Sequence, residues 1–319
     1  MAVKTQNITI LGTGVLGAQI AFHTAFKGKQ VVSYNPDAKE LEKGRANHQQ
    51  LIQTYKNEVG ASDADLAATS GRLTYTTDLK QAVANADIVI EVVPEVPEIK
   101  EATYLELAPL LPEQTVLLSN SSTLLPSDFA PSTGRPAKFA ALHFANMIWK
   151  LNVVEIMGHA ETADETYETA ATFAIEIGMI PIAVGKENPG YVLNYWLDQM
   201  LNDAQTMVTN GIASPEDVDR TYLIVNQGAQ YGPFGIIDII GMMTMRNIWK
   251  YWGEKIGDQQ MVANAQYLED HFIATGKTGV LQGEGYYTYP TPAFSAPDFL
   301  STPSLSAVPD IVKRCKGGN

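Results

Sequence analysis

Residues 7–34 read NITILGTGVLGAQIAFHTAFKGKQVVSY, and the order of residue types here decides the fold. Asn7–Leu11 is a short run rich in β-branched residues, which suits a strand, and it stops at Gly12. Val15–Lys27 is rich in Ala, Leu, Ile and Phe and closes at Gly28, as a helix with a glycine cap does. Gln30–Tyr34 reads as a second strand. Strand, glycine turn, helix and strand within about thirty residues make the βαβ unit of a parallel sheet.

The turn itself, Gly12-Thr13-Gly14-Val15-Leu16-Gly17, is G-x-G-x-x-G. Glycines recur by chance, so the pattern alone is weak. Between a strand and a helix it is a dinucleotide fingerprint, and an ordinary strand-to-helix turn is the lesser reading. Gly12 permits a tight turn, Gly14 lets backbone approach a pyrophosphate, and Gly17 lets the helix pack close to the sheet. The helix start at Val15 and Leu16 offers unpaired N–H donors to phosphate. The fingerprint also wants an acid after the second strand, for a ribose 2′-hydroxyl. Asn35 stands there, followed by Pro36 and Asp37. An amide both donates and accepts, so NAD is favoured. It carries no charge to repel a 2′-phosphate, so NADP stays open. Lys39 and Lys43 are nearby cations, read here as solvated helix lysines.

Outward from this unit the alternation continues. Asp87–Val93 (DIVIEVV) is, past its opening aspartate, an apolar run broken only by Glu91, as in a strand covered on both faces. Glu98–Leu111 reads as helix, Thr115–Leu118, Phe139–Phe144 and Val153–Ile156 as strands, Thr162–Ile177 as helix and Ile180–Val184 as a last strand. This is an α/β, Rossmann-type doubly wound sheet. From residue 188 the character changes. Tyr191–Thr209 reads as a long helix, and Ser214-Pro215-Glu216-Asp217 as the cap of another. The expected division is 1–187 for the dinucleotide-binding domain and 188–319 for an all-α domain. Its tail after Tyr289, rich in Pro, Ser and Thr, is expected to run extended over the surface.

The bulk numbers bound the function. A 45% hydrophobic chain of 319 residues has enough for two cores. The net charge of −13 repels nucleic acid and anionic membrane surfaces. Cys315 is the only cysteine, so no internal disulfide forms. No stretch of about 18 uncharged apolar residues appears, and the start of the chain has no signal-peptide pattern. The expectation is a cytoplasmic protein that binds a small molecule, with no metal.

Hydride chemistry at an alcohol needs a base, a group that orients it and donors around the oxygen. Asn120-Ser121-Ser122-Thr123 follows a strand at the end where doubly wound folds bind ligands. His143 ends another strand. Glu155 sits inside the apolar run VVEI, where a carboxylate needs a partner. Asn194 lies early in the long helix. Each has a plainer reading: a structural histidine, a loop or cap of hydroxyls, an exposed helix asparagine.

Taken in order, GTGVLG, IVIEVVPE, SNSSTL, LHFAN, VVEIM, ENPGYVLN, GPFGIID and GKTGVLQGEGYYTYP cover nearly the whole chain. With them the sequence resembles the 3-hydroxyacyl-CoA dehydrogenase family. The resemblance implies an active site of Ser122, His143, Glu155 and Asn194. His143 would be the general base in oxidation and the general acid in reduction. Glu155 would hold its other nitrogen. Ser122 and Asn194 would bind the reacting oxygen, Asn194 from the helical domain. Glu91, Lys100 and Asn120 would lie at the cofactor cleft. An acyl substrate and a homodimer are implied as well.

Three departures stand out. The family's H-F-[FM]-N-P reads His143-Phe144-Ala145-Asn146-Met147, and its M-G-P segment reads Tyr231-Gly232-Pro233. The hairpin that meets CoA in the family is often lysine-rich, whereas residues 48–71 hold Lys56 alone. PTPAFSAPDFL at 290–300 resembles a bacterial subgroup that includes diketoreductases, which act on keto esters. The chemistry is therefore assigned to a 3-hydroxyl/3-keto carbon, with CoA or a free acid or ester as carrier. Two rivals are a sugar-acid dehydrogenase of the gulonate type and a crystallin-like cofactor binder without turnover. The intact four-residue set argues against the second.

Overall fold

The first strand, β1 (Asn7–Leu11), lies in the middle of an eight-stranded sheet and sends its residues alternately to two cores. Ile8 and Ile10 join one cluster and Leu11 the other. The same alternation splits Ile88 and Ile90 from Val89, and Leu118 from Leu117. Both faces are covered, so these strands are mostly apolar, and the polar residues in them, such as Thr9 and Glu91, are hydrogen-bonded. A computed structural model of the chain describes residues 5–213, 218, 221–222, 224–229 and 233–317. The helix cap expected at Ser214–Asp217, and Tyr231-Gly232, lie outside the described residues.

After β1 the chain runs through α1 (Val15–Phe26), β2 (Gln30–Tyr34), α2 (Ala38–Thr54), α3 (Asp63–Gly71), β3 (Leu73–Thr76) and α4 (Leu79–Val83). It continues with β4 (Ile88–Glu91), α5 (Pro97–Leu107), β5 (Val116–Ser119), α6 (Pro126–Phe129) and β6 (Phe139–Phe144). Then come β7 (Val153–Met157), α7 (Asp164–Glu176), β8 (Ile180–Val184) and α8 (Leu193–Thr209). The strand order is β3-β2-β1-β4-β5-β6-β7-β8. β1 to β6 are parallel, as a doubly wound sheet requires. β7 is antiparallel to β6, and β8 is parallel to β7. The reason for the reversal is the connection. Residues 145–152 hold no helix and fall short of the dozen or so residues a parallel crossover needs.

The chain divides into two compact units, Met1–Asn202 with Thr302–Asn319, and Asp203–Ser301. The first therefore extends beyond residue 187 and reclaims the end of the chain. The tail is not extended throughout. It closes in helix Val308–Cys315, whose Val308, Ile311, Val312 and Cys315 are buried in the sheet's larger core. The second unit contains helices Pro233–Ile240, Met242–Ile256 and Gln259–His271. Asp238 is buried there and accepts from the amides of Tyr286 and Tyr287 and the hydroxyl of Tyr289, which ties the glycine-rich segment to its helix. No described helix is long and apolar enough to cross a membrane.

Candidate active site

The glycine turn comes first along the chain. Gly12 has φ +114°, and a Cβ there would lie 2.3 Å from the carbonyl oxygen of Val92. A Cβ on Gly17 would lie 2.2 Å from the carbonyl oxygen of Gly12. Both glycines are thus demanded by the protein's own packing. Gly14 differs: a Cβ there would meet nothing within 4 Å. Its backbone borders open space at the start of α1, where no side chain caps the helix. That combination fits an anion approaching free N–H groups. Val15 is exposed at this helix start and Leu16 is packed against the core.

A cavity of about 630 Å³ opens beside this turn, lined in part by Gly12, Thr13, Gly14, Asn35, Glu40 and Glu106. Asn35 donates to Thr13 Oγ1 at 3.0 Å and accepts from the Asp37 amide at 3.0 Å. Among the described residues no lysine or arginine lines the cavity. Lys43 is ion-paired with Glu40 at 2.6 Å and Lys39 lies in the exposed first turn of α2. The walls therefore suit a ribose with free hydroxyls better than a 2′-phosphate.

At the same edge of the sheet stand the ends of β4, β5 and β6. Sheet register sets His143 of β6 beside Glu155 of β7. Their side chains meet, with His143 Nδ1 2.8 Å from Glu155 Oε2. His143 Nε2 lies 3.2 Å from Ser122 Oγ. Glu155 is buried, so its second oxygen also needs donors. Oε1 accepts from the amides of Val192 at 2.8 Å and Leu193 at 2.9 Å, where α8 begins. A carboxylate at a helix N-terminus is further stabilised by the helix dipole. The chain Ser122–His143–Glu155 is thus continuous, with Glu155 able to fix the tautomer of His143. Asn194, the second residue of α8, is half-buried and makes no side-chain hydrogen bond among the described residues. It belongs to the first compact unit, not to the second.

The three other expected cofactor residues sit differently. Glu91 and Lys100 are buried and bonded to each other at 2.8 Å. Glu91 also accepts from Tyr104, Ser119 and the Val93 amide. Asn120 is buried, and its side-chain oxygen accepts from the Phe144 amide at 2.9 Å, pinning the end of β5 to the end of β6. None of the three lines the cavity. Val92, Val93 and Ile99, neighbours of Glu91 and Lys100 in sequence, do line it.

Two residues of the site escape a reading of the sequence. Glu95 gathers the loop that carries Ser122. Its Oε1 accepts from Ser121 Oγ at 2.6 Å and from Ser122 N, Thr123 N and Thr123 Oγ1, each at 3.0 Å. Lys100 lies 3.2 Å from its other oxygen. Burial raises the Glu95 carboxyl, but the Ser121 hydroxyl, the Lys100 charge and the Thr123 amide outweigh it and hold it at about 2. An acid four residues beyond Glu91, ahead of a loop dense in hydroxyls, was the available signal. The other is Tyr191, whose ring stacks on His143 with centroids 4.8 Å apart. It lies inside the ENPGYVLN segment, but nothing in that segment assigns it a role.

The geometry defines a class: a dinucleotide-binding oxidoreductase with a carboxylate-backed histidine at the rim of its cofactor sheet, acting on a CH–OH group. Residues 7–188 match the NAD binding domain of 3-hydroxyacyl-CoA dehydrogenase, and residues 190–289 match that family's C-terminal domain. The chain belongs to the 3-hydroxyacyl-CoA dehydrogenase family, and its cofactor is NAD. It is similar to a probable 3-hydroxybutyryl-CoA dehydrogenase of Deinococcus radiodurans, 30% identical over 88% of this chain and 99% of that one. It is 28% identical to the human mitochondrial hydroxyacyl-coenzyme A dehydrogenase, over 90% of this chain and 92% of the relative. Among solved structures, one of a diketoreductase with substrate-directed dual catalysis of dicarbonyl compounds is 43% identical. It covers 91% of this chain and 100% of its own, with a TM-score of 0.68.

Proposed function

We propose that the protein interconverts the 3-hydroxyl and 3-keto groups of an acyl compound, with His143 as the proton carrier. The observation that carries this reading is the unbroken line from Ser122 through His143 to Glu155. NAD, when bound, accepts or delivers the hydride at the carbon. Everything else falls to the chain. In oxidation Nε2 of His143 takes the hydroxyl proton, and the imidazolium that forms is stabilised by Glu155 through Nδ1. In reduction the same nitrogen returns a proton to the oxygen. Ser122 Oγ, beside Nε2, donates to that oxygen, and Asn194, one residue past an amide that binds Glu155, helps hold it. Gly12, Gly14, Val15, Leu16, Gly17 and Asn35 hold the cofactor, while Glu91, Lys100 and Asn120 keep its edge of the sheet rigid.

For the substrate's tail, two observations favour a keto acid or ester over a CoA thioester. Lys56, alone in its hairpin, is taken by Asp63 at 2.7 Å. The 43% identical diketoreductase acts on dicarbonyl compounds. In the same reading the first compact unit serves the cofactor and carries the active-site residues, and the second, Asp203–Ser301, serves the substrate and a homodimer contact. Exposed Phe234, Ile239, Met243 and Ile248 on the helices of the second unit support that contact. The lone buried cysteine fits a reducing cytoplasm. The deciding experiment is a panel of ethyl acetoacetate, acetoacetate, acetoacetyl-CoA and L-gulonate with NAD(H). Turnover of a 3-keto compound is expected. Oxidation of gulonate alone, or NADH binding with no turnover of any member, would overturn the assignment.

A further inference from the structure

Glu155 and His143 are held by one short turn, residues 188–193, that the catalytic set does not include. Within it Tyr191 has φ +57°, a left-handed backbone that a bulky residue rarely adopts. The turn is braced by Asn188, whose side chain donates to the Tyr191 carbonyl at 2.8 Å and whose own carbonyl accepts from the Tyr191 amide at 3.0 Å. The conformation directs the next two amides, of Val192 and Leu193, onto Glu155. It also turns the Tyr191 ring onto His143, nearly parallel at 23°. The ring is 2% exposed.

We propose that Tyr191 is a positioning residue for the His143–Glu155 pair, its ring setting the plane of the imidazole while its backbone aims the amides that hold the carboxylate. The contacts at Nδ1 and Nε2 hold the imidazole along one line and leave the ring free to tilt about it, since the outer torsion of histidine is broad. A flat aromatic face against the imidazole removes that freedom and holds Nε2 toward Ser122. An aromatic face also attracts the cation formed each time Nε2 takes a proton. The Tyr191 hydroxyl is buried and makes no hydrogen bond among the described residues. The ring, not the hydroxyl, is therefore the working part. The proposal rests on His143 being the proton carrier.

The test compares Tyr191→Leu, Tyr191→Gly and Tyr191→Phe in the full chain, using NADH and ethyl acetoacetate or acetoacetyl-CoA, whichever the wild type turns over. Tyr191→Leu fills the space without a ring. Tyr191→Gly keeps the left-handed backbone without one, so either reads the effect if the other misfolds. Both should lower kcat by roughly ten- to a hundredfold, with KM and the NADH Kd within about twofold. Tyr191→Phe should recover most of that loss. A kcat unchanged in the ringless variants, or a Phe variant as slow as they are, would overturn the proposal. A loss spread equally over NADH binding and kcat would mean a purely structural ring and would also overturn it. Glu155→Gln in the same assay separates the two levels. If it is slow and the ringless variants are not, Tyr191 alone is misassigned. If it too runs at full kcat, the reading of the His143–Glu155 pair falls with it.

Discussion

Glu95 accepts from Ser121, Ser122 and Thr123 on one oxygen, so its charge holds the loop that brings Ser122 to His143. Hydrogen bonds to an ionised acceptor contribute roughly twice as much as neutral ones. Glu95→Gln should therefore lower kcat by about tenfold and leave the fold intact, as steady-state rates and thermal unfolding would show. An unchanged kcat would mean that the loop keeps its shape without the charge. At this scale the sequence marks Glu155, because a carboxylate inside the apolar VVEI run requires a partner, while His143 and Ser122 stand out only through the family resemblance. It withholds Glu95 and Tyr191. Glu95 acts on a loop far along the chain, and Tyr191 depends on a backbone conformation that its residue type does not favour.

The strand–turn–helix element makes a paired prediction, because two of its glycines do different work. Gly17→Ala puts a methyl against the Gly12 carbonyl, so it should destabilise the protein by about 1–3 kcal/mol. Gly14→Ala meets only open space at an ordinary φ of −62°, so the unfolding midpoint should stay put. Its NADH affinity should nevertheless fall, by about tenfold or more, because the methyl stands where the cofactor approaches. Equal NADH affinity in Gly14→Ala and wild type would move the phosphate away from this turn. The motif and its flanking strands are legible from residue types alone, and Phe139–Phe144 and Ile180–Val184 have the expected bounds. The four-residue strand Leu73–Thr76 is not legible, being short and half polar. The reversal at β7 is legible only through the length of its connection.

Across the whole molecule, two buried histidines link folding to pH. Burial lowers His23 to about 4, despite its bond to the Ile177 carbonyl, and burial likewise lowers His48 to about 4. Each is held neutral, with a tyrosine hydroxyl at Nδ1. Both folded values lie below the ordinary 6.5, so the unfolded chain takes up protons first as pH falls. Their contribution is full above pH 6.5 and is lost between 6.5 and about 4. That amounts to something on the order of 3 kcal/mol for each. Glu95 acts in a lower window, between its ordinary 4.5 and about 2. Urea unfolding should show a stability level from pH 7 to 8 that declines steadily toward pH 4. A flat profile over that range would contradict neutral, buried imidazoles. The sequence shows five histidines and no sign of which are buried, because burial is decided by how α1 and α2 stack on β3 and on the end of α7. The tail shows the same limit: its Pro-rich stretch hides a helix whose apolar face becomes evident only against α7 and β8.

The most direct measurement is kcat of His143→Asn with NADH and the 3-keto substrate, taken together with the NADH Kd. A proton carrier at this position requires a loss of roughly 10²–10⁴ in kcat with NADH affinity within about twofold of wild type. A variant that turns over at the wild-type rate would contradict it.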